Sequence, residues 1–196
     1  LDWKLYRANG EFLQEVNCQY DSLDIAVMMY DATKIEVDFI NKEARILVIG
    51  NITEVEELKS RLLNVGAWKR EGRKAPHKPL LLLFSLSKLL KENRKTLKFD
   101  EIKNEFKKIL LKFGGTKRPH PEYPFIYLKN DGIWKLNADI NGKHMNSEQL
   151  SMLVGGFNDD ICSILENNHE LIEDLIDMIL EEFFPKEVHC SLLEAI

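Results

Sequence analysis

The stretch Pro79-Leu-Leu-Leu-Leu-Phe-Ser-Leu-Ser-Lys-Leu-Leu90 decides the fold. From Leu80 to Leu90 only two serines and one lysine interrupt the apolar residues. A helix there is hydrophobic nearly all round, so it belongs at the centre of a packed domain. Proline is tolerated in a first helical turn, where its missing N–H costs nothing, so the helix begins near Pro79. On the C-terminal side, Asn93 to Thr96 breaks the pattern and Asp100 is placed to cap a helix from Glu101 to about Phe113. Its apolar positions Ile102, Phe106, Ile109, Leu110 and Phe113 fall three or four apart, leaving Lys103, Lys107, Lys108 and Lys112 on the outer face. Gly114-Gly115 stops it, and the proline-rich run from Thr116 to Pro124 reads as a loop.

Beyond that loop, Phe125 to Leu128 and Ile133 to Leu136 are joined by Lys129-Asn-Asp-Gly132, an Asp-Gly turn signal. The pair is expected to form a short hairpin projecting as a wing. Ser147 starts a short helix, Gly155-Gly156 marks a break, Asp159 to Leu165 is helical, and His169 to Phe184 is a long acidic amphipathic helix ending at Pro185. A last short helix is expected in the tail from Glu187 to Ile196. On the N-terminal side, Ala67 to Pro79 holds one Trp, two Pro and five basic residues and reads as a loop. A helix from about Thr53 to Val65 precedes it, opened by a capping box of Thr53 and Glu56 and ended by Gly66. In residues 1–58, Glu11 to Val16 and Ser22 to Tyr30 look helical, while Lys34 to Ile40 and Ala44 to Ile49 read as a β-hairpin around Asn41-Lys42-Glu43.

The chain has 196 residues, 44% hydrophobic and 30% charged, a globular composition that excludes disordered and collagen-like architectures. No apolar run approaches the roughly 20 residues of a membrane span, and no signal-peptide pattern opens the chain. Cys18, Cys162 and Cys190 are too scattered for a disulfide framework or a zinc site, which favours a reducing, cytoplasmic setting. The sequence opens on Leu1 rather than Met, the appearance of a piece of a longer chain.

Charge is strongly segregated. The total is −5, but residues 1–58 carry −7, residues 59–135 carry +13 and residues 136–196 carry −11. The middle segment suggests a positive face for a polyanion, with acidic flanks that keep the whole in solution. Its cations cluster in the two loops: Lys69, Arg70, Arg73 and Lys74 in the first, Lys117 and Arg118 with His120 in the second. With Lys107 and Lys108 they are the expected DNA-backbone contacts, and Arg70, Arg73 and Arg118 have the guanidinium fork that pairs with guanine edges. The plainer reading is a solvated, lysine-rich helix surface.

Enzyme chemistry finds little support. His77, His120, His144, His169 and His189 are widely separated, and no metal, phosphate-loop or nucleophile-elbow motif occurs. Asp159-Asp160 reads as a helix start rather than a catalytic pair. Nothing calls for a cofactor or a metal.

Lys74-Ala-Pro-His-Lys-Pro-Leu-Leu-Leu-Leu83, then His120-Pro-Glu-Tyr-Pro-Phe125 and Asn130-Asp-Gly-Ile-Trp134, resemble the sulfur-binding domain of type IV restriction enzymes, which recognise phosphorothioate-modified DNA. Ile179-Leu-Glu-Glu-Phe-Phe-Pro185 and Leu192-Leu-Glu-Ala-Ile196 resemble that family's C-terminal end, so the likeness covers about residues 60–196. It implies a module that reads duplex DNA in which sulfur replaces one non-bridging phosphate oxygen. Sulfur is more polarizable and a poorer hydrogen-bond acceptor, so a dry pocket penalises an ordinary phosphate oxygen far more. Carried over by motif, His77 and Lys78 flank the modified phosphate and Tyr123 and Pro124 wall the pocket. Relatives often carry Arg after the His and a small residue beyond Tyr-Pro, where this chain has Lys78 and Tyr127. In that family the module is usually joined to an HNH nuclease. No such motif occurs in these residues, so this chain is expected to bind without cutting, with a nuclease in the same longer chain or a partner.

The expected protein is therefore a helix-dominated α+β molecule. Residues 59–196 form a helical DNA-binding domain with a short β-hairpin, preceded by a small acidic α/β segment of unassigned role. Two rivals remain open at this point. One is a winged-helix-type DNA-binding module indifferent to sulfur; the other is an adaptor whose positive segment meets acidic proteins.

Overall fold

The computed structural model describes residues 2–7, 10–17, 32–49, 52–65, 69–70, 73–74, 76–138 and 146–196. It separates into two compact units. One holds residues 1–58 and 163–174, the other residues 59–162 and 175–196. The architecture is α+β and helix-dominated, as the sequence pattern requires.

The first unit is built on a four-stranded sheet in the order β2-β1-β4-β3, from β1 (Asp2–Arg7), β2 (Phe12–Asn17), β3 (Ala32–Asp38) and β4 (Glu43–Ile49). The hairpin expected around Asn41-Lys42-Glu43 is present: β3 and β4 run antiparallel, with Asp38 opposite Glu43. Its turn is stapled by Asp38, whose carboxylate accepts from the backbone N–H groups of Ile40 and Asn41 and from the Asn41 amide. Lys42 takes the left-handed conformation at φ 56°. The helix read at Glu11–Val16 is not formed. Phe12 to Val16 belong to β2, antiparallel to β1, because so short a segment fits both periods and the ladder with β1 decides between them. The reading of Ser22–Tyr30 falls outside the described residues. Trp3, Leu5 and Ala44 are buried.

The helix read near Thr53 is α1 (Ile52–Leu63), whose Val55, Leu58 and Leu62 are buried at three- and four-residue spacing. The Thr53 side chain, and with it the capping box, lies outside the described residues.

The second unit is organised by α2 (His77–Glu92), in which every residue from Pro79 to Ser87 is buried. The two serines inside this apolar helix are satisfied: Ser85 donates to the Leu81 carbonyl and Ser87 to the Ile196 carbonyl, both at 2.8 Å. Asn93 closes the helix in the left-handed conformation, φ 53°. Next comes the short strand β7 (Thr96–Lys98) and then α3 (Phe99–Phe113), which packs on α2 through Phe84 and Phe106. Asp100 is not its cap. It sits in the first turn, where its charge suits the helix dipole, and accepts from Lys103 at 2.5 Å.

The projecting wing is not formed. Glu122–Tyr127 is helical (α4), Leu128–Asp131 is a 3-10 turn, and Gly132 closes it at φ 71°. The Asp-Gly signal marks a helix end here, not a hairpin loop. Only Trp134–Leu136 is a strand, β8, and its partner is β9 (Val154–Phe157), which also pairs with β7. Gly155-Gly156 is thus the middle of a strand rather than a break. A β-carbon on Gly155 would lie 2.6 Å from the Trp134 indole nitrogen, and one on Gly156 would lie 2.5 Å from the Lys95 carbonyl oxygen. Close packing on both faces demands glycine.

Phe99, Phe125, Trp134 and Phe157 form a chain of ring contacts, 5.2–5.7 Å between neighbouring centroids, that joins α3, α4, β8 and β9. Asn146 opens α5 (Ser147–Ser151) with a capping box to Gln149. Helix α6 (Asp159–Leu165) follows. Helix α7 (His169–Phe183) buries Leu175, Ile176, Ile179 and Leu180 on one stripe, and the tail ends in α8 (His189–Leu193).

Candidate nucleic-acid interface

The first basic loop contains structure that its composition hides. Lys69–Arg70 and Arg73–Lys74 form a minimal antiparallel ladder, β5 and β6, with Lys69 opposite Lys74 and Arg70 opposite Arg73.

His77 and Lys78 occupy the first turn of α2, after Pro76. His77 Nε2 lies 3.0 Å from the Gly114 carbonyl oxygen at the end of α3. A carbonyl only accepts, so Nε2 carries the proton and Nδ1 is left for another partner. Lys78 donates to Asp131 at 2.5 Å, with both side chains about one-fifth exposed (22% and 18%). Helix α4 packs against α2 and carries Tyr123, Pro124 and Tyr127. Tyr123 is half exposed (50%), which removes it from the core. His120 stacks on it with centroids 5.0 Å apart and planes 19° apart, and Tyr127 approaches at 6.2 Å. His120 is tethered in turn, Nδ1 donating to Glu122 at 2.9 Å. Pro124, the next residue on the helix, is buried.

The cations divide into two sets. Lys88 bridges Glu92 and Glu105, Arg94 meets Glu101, Lys103 meets Asp100, Lys135 meets Asp159, and Arg61 meets Asp160. Burial opposes the charge on Lys88, but hydrogen bonds to Glu92 and Glu105 outweigh it and hold the ammonium above the ordinary lysine range. The Arg61 guanidinium keeps Asp160 below the usual carboxylate range. Lys107, Lys108, Lys117 and Arg118 are exposed, and among the described residues none has an ion-pair partner. Lys112 lies over the Phe113 ring at 4.9 Å.

Sequence reasoning missed Asp131, the Gly114 carbonyl, and the support behind them. Gly132 offers its carbonyl to both Arg61 and Asn158, which pins the turn that carries Asp131. The Asn130-Asp-Gly motif was visible, but its pairing with Lys78 spans 53 residues and has no local signature.

A helix-cored α+β domain with unpaired cations and an exposed row of rings defines a module suited to a nucleic-acid backbone. The chain belongs to the ScoMcrA-like, DNA sulfur-binding domain family, whose pattern residues 55–196 match. The fold is also that of the sulfur-binding domain of ScoMcrA, solved with phosphorothioated DNA: TM-score 0.58, 18% identity, covering 69% of this chain and 97% of that one. The sulfur-binding domain of SprMcrA, likewise solved with phosphorothioated DNA, matches with TM-score 0.53 and 18% identity, covering 72% and 96%. No curated protein matches the chain. No helix among the described residues is long and apolar enough to cross a membrane.

Proposed function

We propose that the chain reads phosphorothioate-modified double-stranded DNA and serves as the recognition part of a modification-dependent restriction system in the cytoplasm. Residues 59–196 act as the sulfur-binding domain and residues 1–58 as a separate accessory segment. Cleavage falls to a nuclease in the same longer chain or a partner, and this chain binds without catalysis. The carrying observation is the half-exposed Tyr123, stacked with His120 and carried on the helix that packs against α2, whose first turn holds His77 and Lys78. His77 and Lys78 meet the modified phosphate, and the rings of Tyr123, Pro124 and Tyr127 supply the apolar wall. A phosphate oxygen facing that wall loses its water without recompense, whereas sulfur loses little.

Lys69, Arg70, Arg73, Lys74, Lys107, Lys108, Lys117, Arg118 and His120 supply the affinity that does not depend on sulfur. The winged-helix alternative loses its wing to the 3-10 turn at Leu128–Asp131.

The test is a fluorescence-polarization titration at about 0.15 M salt against one duplex made with and without a single phosphorothioate. A preference of about tenfold or more for sulfur, roughly 1.4 kcal/mol, supports the reading. Equal binding reduces the chain to a general DNA-binding module, and no binding to either favours an adaptor for acidic proteins. Tyr123→Ala or Pro124→Ala is expected to lower the preference, whereas Lys107→Ala weakens both duplexes alike. Equal losses on both duplexes in the ring variants would remove those rings from the pocket.

A further inference from the structure

Lysine is an awkward residue for the position that Lys78 holds. It is the second residue of α2, at the positive end of the helix dipole, and its side chain is only 22% exposed. Such a cation persists because Asp131 meets it at 2.5 Å. The two partners differ in freedom. Asp131 ends the 3-10 turn that directly follows α4, and the neighbouring Gly132 is fixed by its left-handed backbone and by donors from Asn158 and Arg61. Asp131 is therefore a fixed acceptor. The ammonium of Lys78 sits on a four-carbon stem and has three N–H donors, so one can stay on Asp131 while the others remain available to a phosphate.

The carboxylate has two consequences with opposite effects on different DNAs. It holds the ammonium in one place, which helps a phosphate that is itself seated in one place. It also cancels the Lys78 charge at a distance, which removes one cation from the diffuse attraction that draws any duplex to the protein. We propose that Asp131 is a positioning residue that sets specificity, directing Lys78 toward the seated, sulfur-bearing phosphate and withholding its charge from unmodified DNA. The inference rests on the sulfur-pocket reading above. A free lysine at the same place would serve every phosphate; a lysine held by Asp131 serves the one that docks.

The experiment is a polarization titration over a series of salt concentrations, with matched duplexes carrying or lacking one phosphorothioate. The proteins are the wild type, Asp131→Asn, Asp131→Ser and the double variant Lys78→Gln/Asp131→Asn, each first shown by its thermal melt to be folded. Asp131→Asn is expected to bind the unmodified duplex about fivefold more tightly and to steepen its log–log salt slope by about 0.9, the effect of one more phosphate contact. The modified duplex gains less, so the sulfur preference falls. Asp131→Ser repeats the result with a side chain too short to hold Lys78, and the double variant, lacking the freed cation, loses the gain on unmodified DNA. Parallel weakening on both duplexes with unchanged slope, in whichever Asp131 variant folds, would make Asp131 merely structural and overturn the inference. A wild type that binds both duplexes equally would overturn the pocket reading and this inference with it. A wild type that prefers sulfur beside Asp131 variants with an unchanged preference would overturn the inference alone.

Discussion

Lys103 and Lys107 stand one turn apart on α3, yet the molecule treats them differently. Lys103 is held by Asp100, while Lys107 extends into solvent with Lys108 beside it and no ion-pair partner among the described residues. The same division runs across the second unit, with Arg61, Lys78, Lys88, Arg94 and Lys135 neutralised and Lys107, Lys108, Lys117 and Arg118 open. A net charge of +13 in residues 59–135 therefore overstates the charge offered to a polyanion at any one place. What matters for binding is which cations lack a fixed counter-charge, and among the described residues four of these, Lys107, Lys108, Lys117 and Arg118, lie in the second half of α3 and the loop that follows it.

The strongest challenge to this division is to remove these four open cations together. Lys107→Gln/Lys108→Gln/Lys117→Gln/Arg118→Gln is expected to lower affinity for either duplex about a hundredfold near 0.15 M salt. It should also flatten the log–log salt slope by about 3.6, leaving the ratio between the duplexes unchanged. An unaltered slope would show that the open cations do not meet phosphate. A finer comparison uses single changes on α3: Lys107→Gln should cost about fivefold in affinity and Lys103→Gln less than about twofold, since the latter cation is already neutralised. Equal losses would erase the distinction between the two lysines.

The smallest effect expected is on acid stability. Hydrogen bonds from Lys103, Lys88 and Arg61 keep Asp100, Glu92 and Asp160 below the ordinary carboxylate range. A carboxyl depressed by folding contributes stability at pH values above its unfolded value and loses it as the pH falls through the folded value. The melting temperature should accordingly be level above about pH 5 and decline below about pH 4, less steeply in Asp160→Asn. A variant with the same acid limb as the wild type would show that the Arg61 pair contributes nothing.

The parts of the fold legible in the sequence were those with long, one-period patterns. The leucine run announced α2, the spacing of Ile102, Phe106 and Ile109 announced α3, and the turn residues Asn41-Lys42 announced the hairpin of β3 and β4. Short segments misled, because their state is decided by partners far along the chain. Phe12–Asn17 becomes a strand through β1, and Trp134–Leu136 finds its partner in β9 rather than in Phe125–Leu128. Gly155 and Gly156 looked like punctuation because their purpose, admitting the Trp134 ring on one side and the Lys95 carbonyl on the other, exists only after packing.

At the site, the motif order put His77, Lys78, Tyr123 and Pro124 forward as a group; the first two lie in the first turn of α2 and the others on α4, which packs on it. The stack of His120 on Tyr123 and the counter-charge at Asp131 were out of reach, since ring orientation and a pairing across 53 residues leave no periodic trace.

Trp134 gives the domain an optical reporter of its own. Trp134 is 2% exposed, flanked edge-on by Phe125 and Phe157 at 80° and 81°, and its indole nitrogen is buried with no hydrogen-bond acceptor among the described residues. Such a chromophore emits toward the blue while the chain of aromatic rings is intact and moves to the red once water reaches it. Because that chain ties α3 and α4 to the small sheet, the colour of Trp134 follows the scaffold that holds Tyr123 in place.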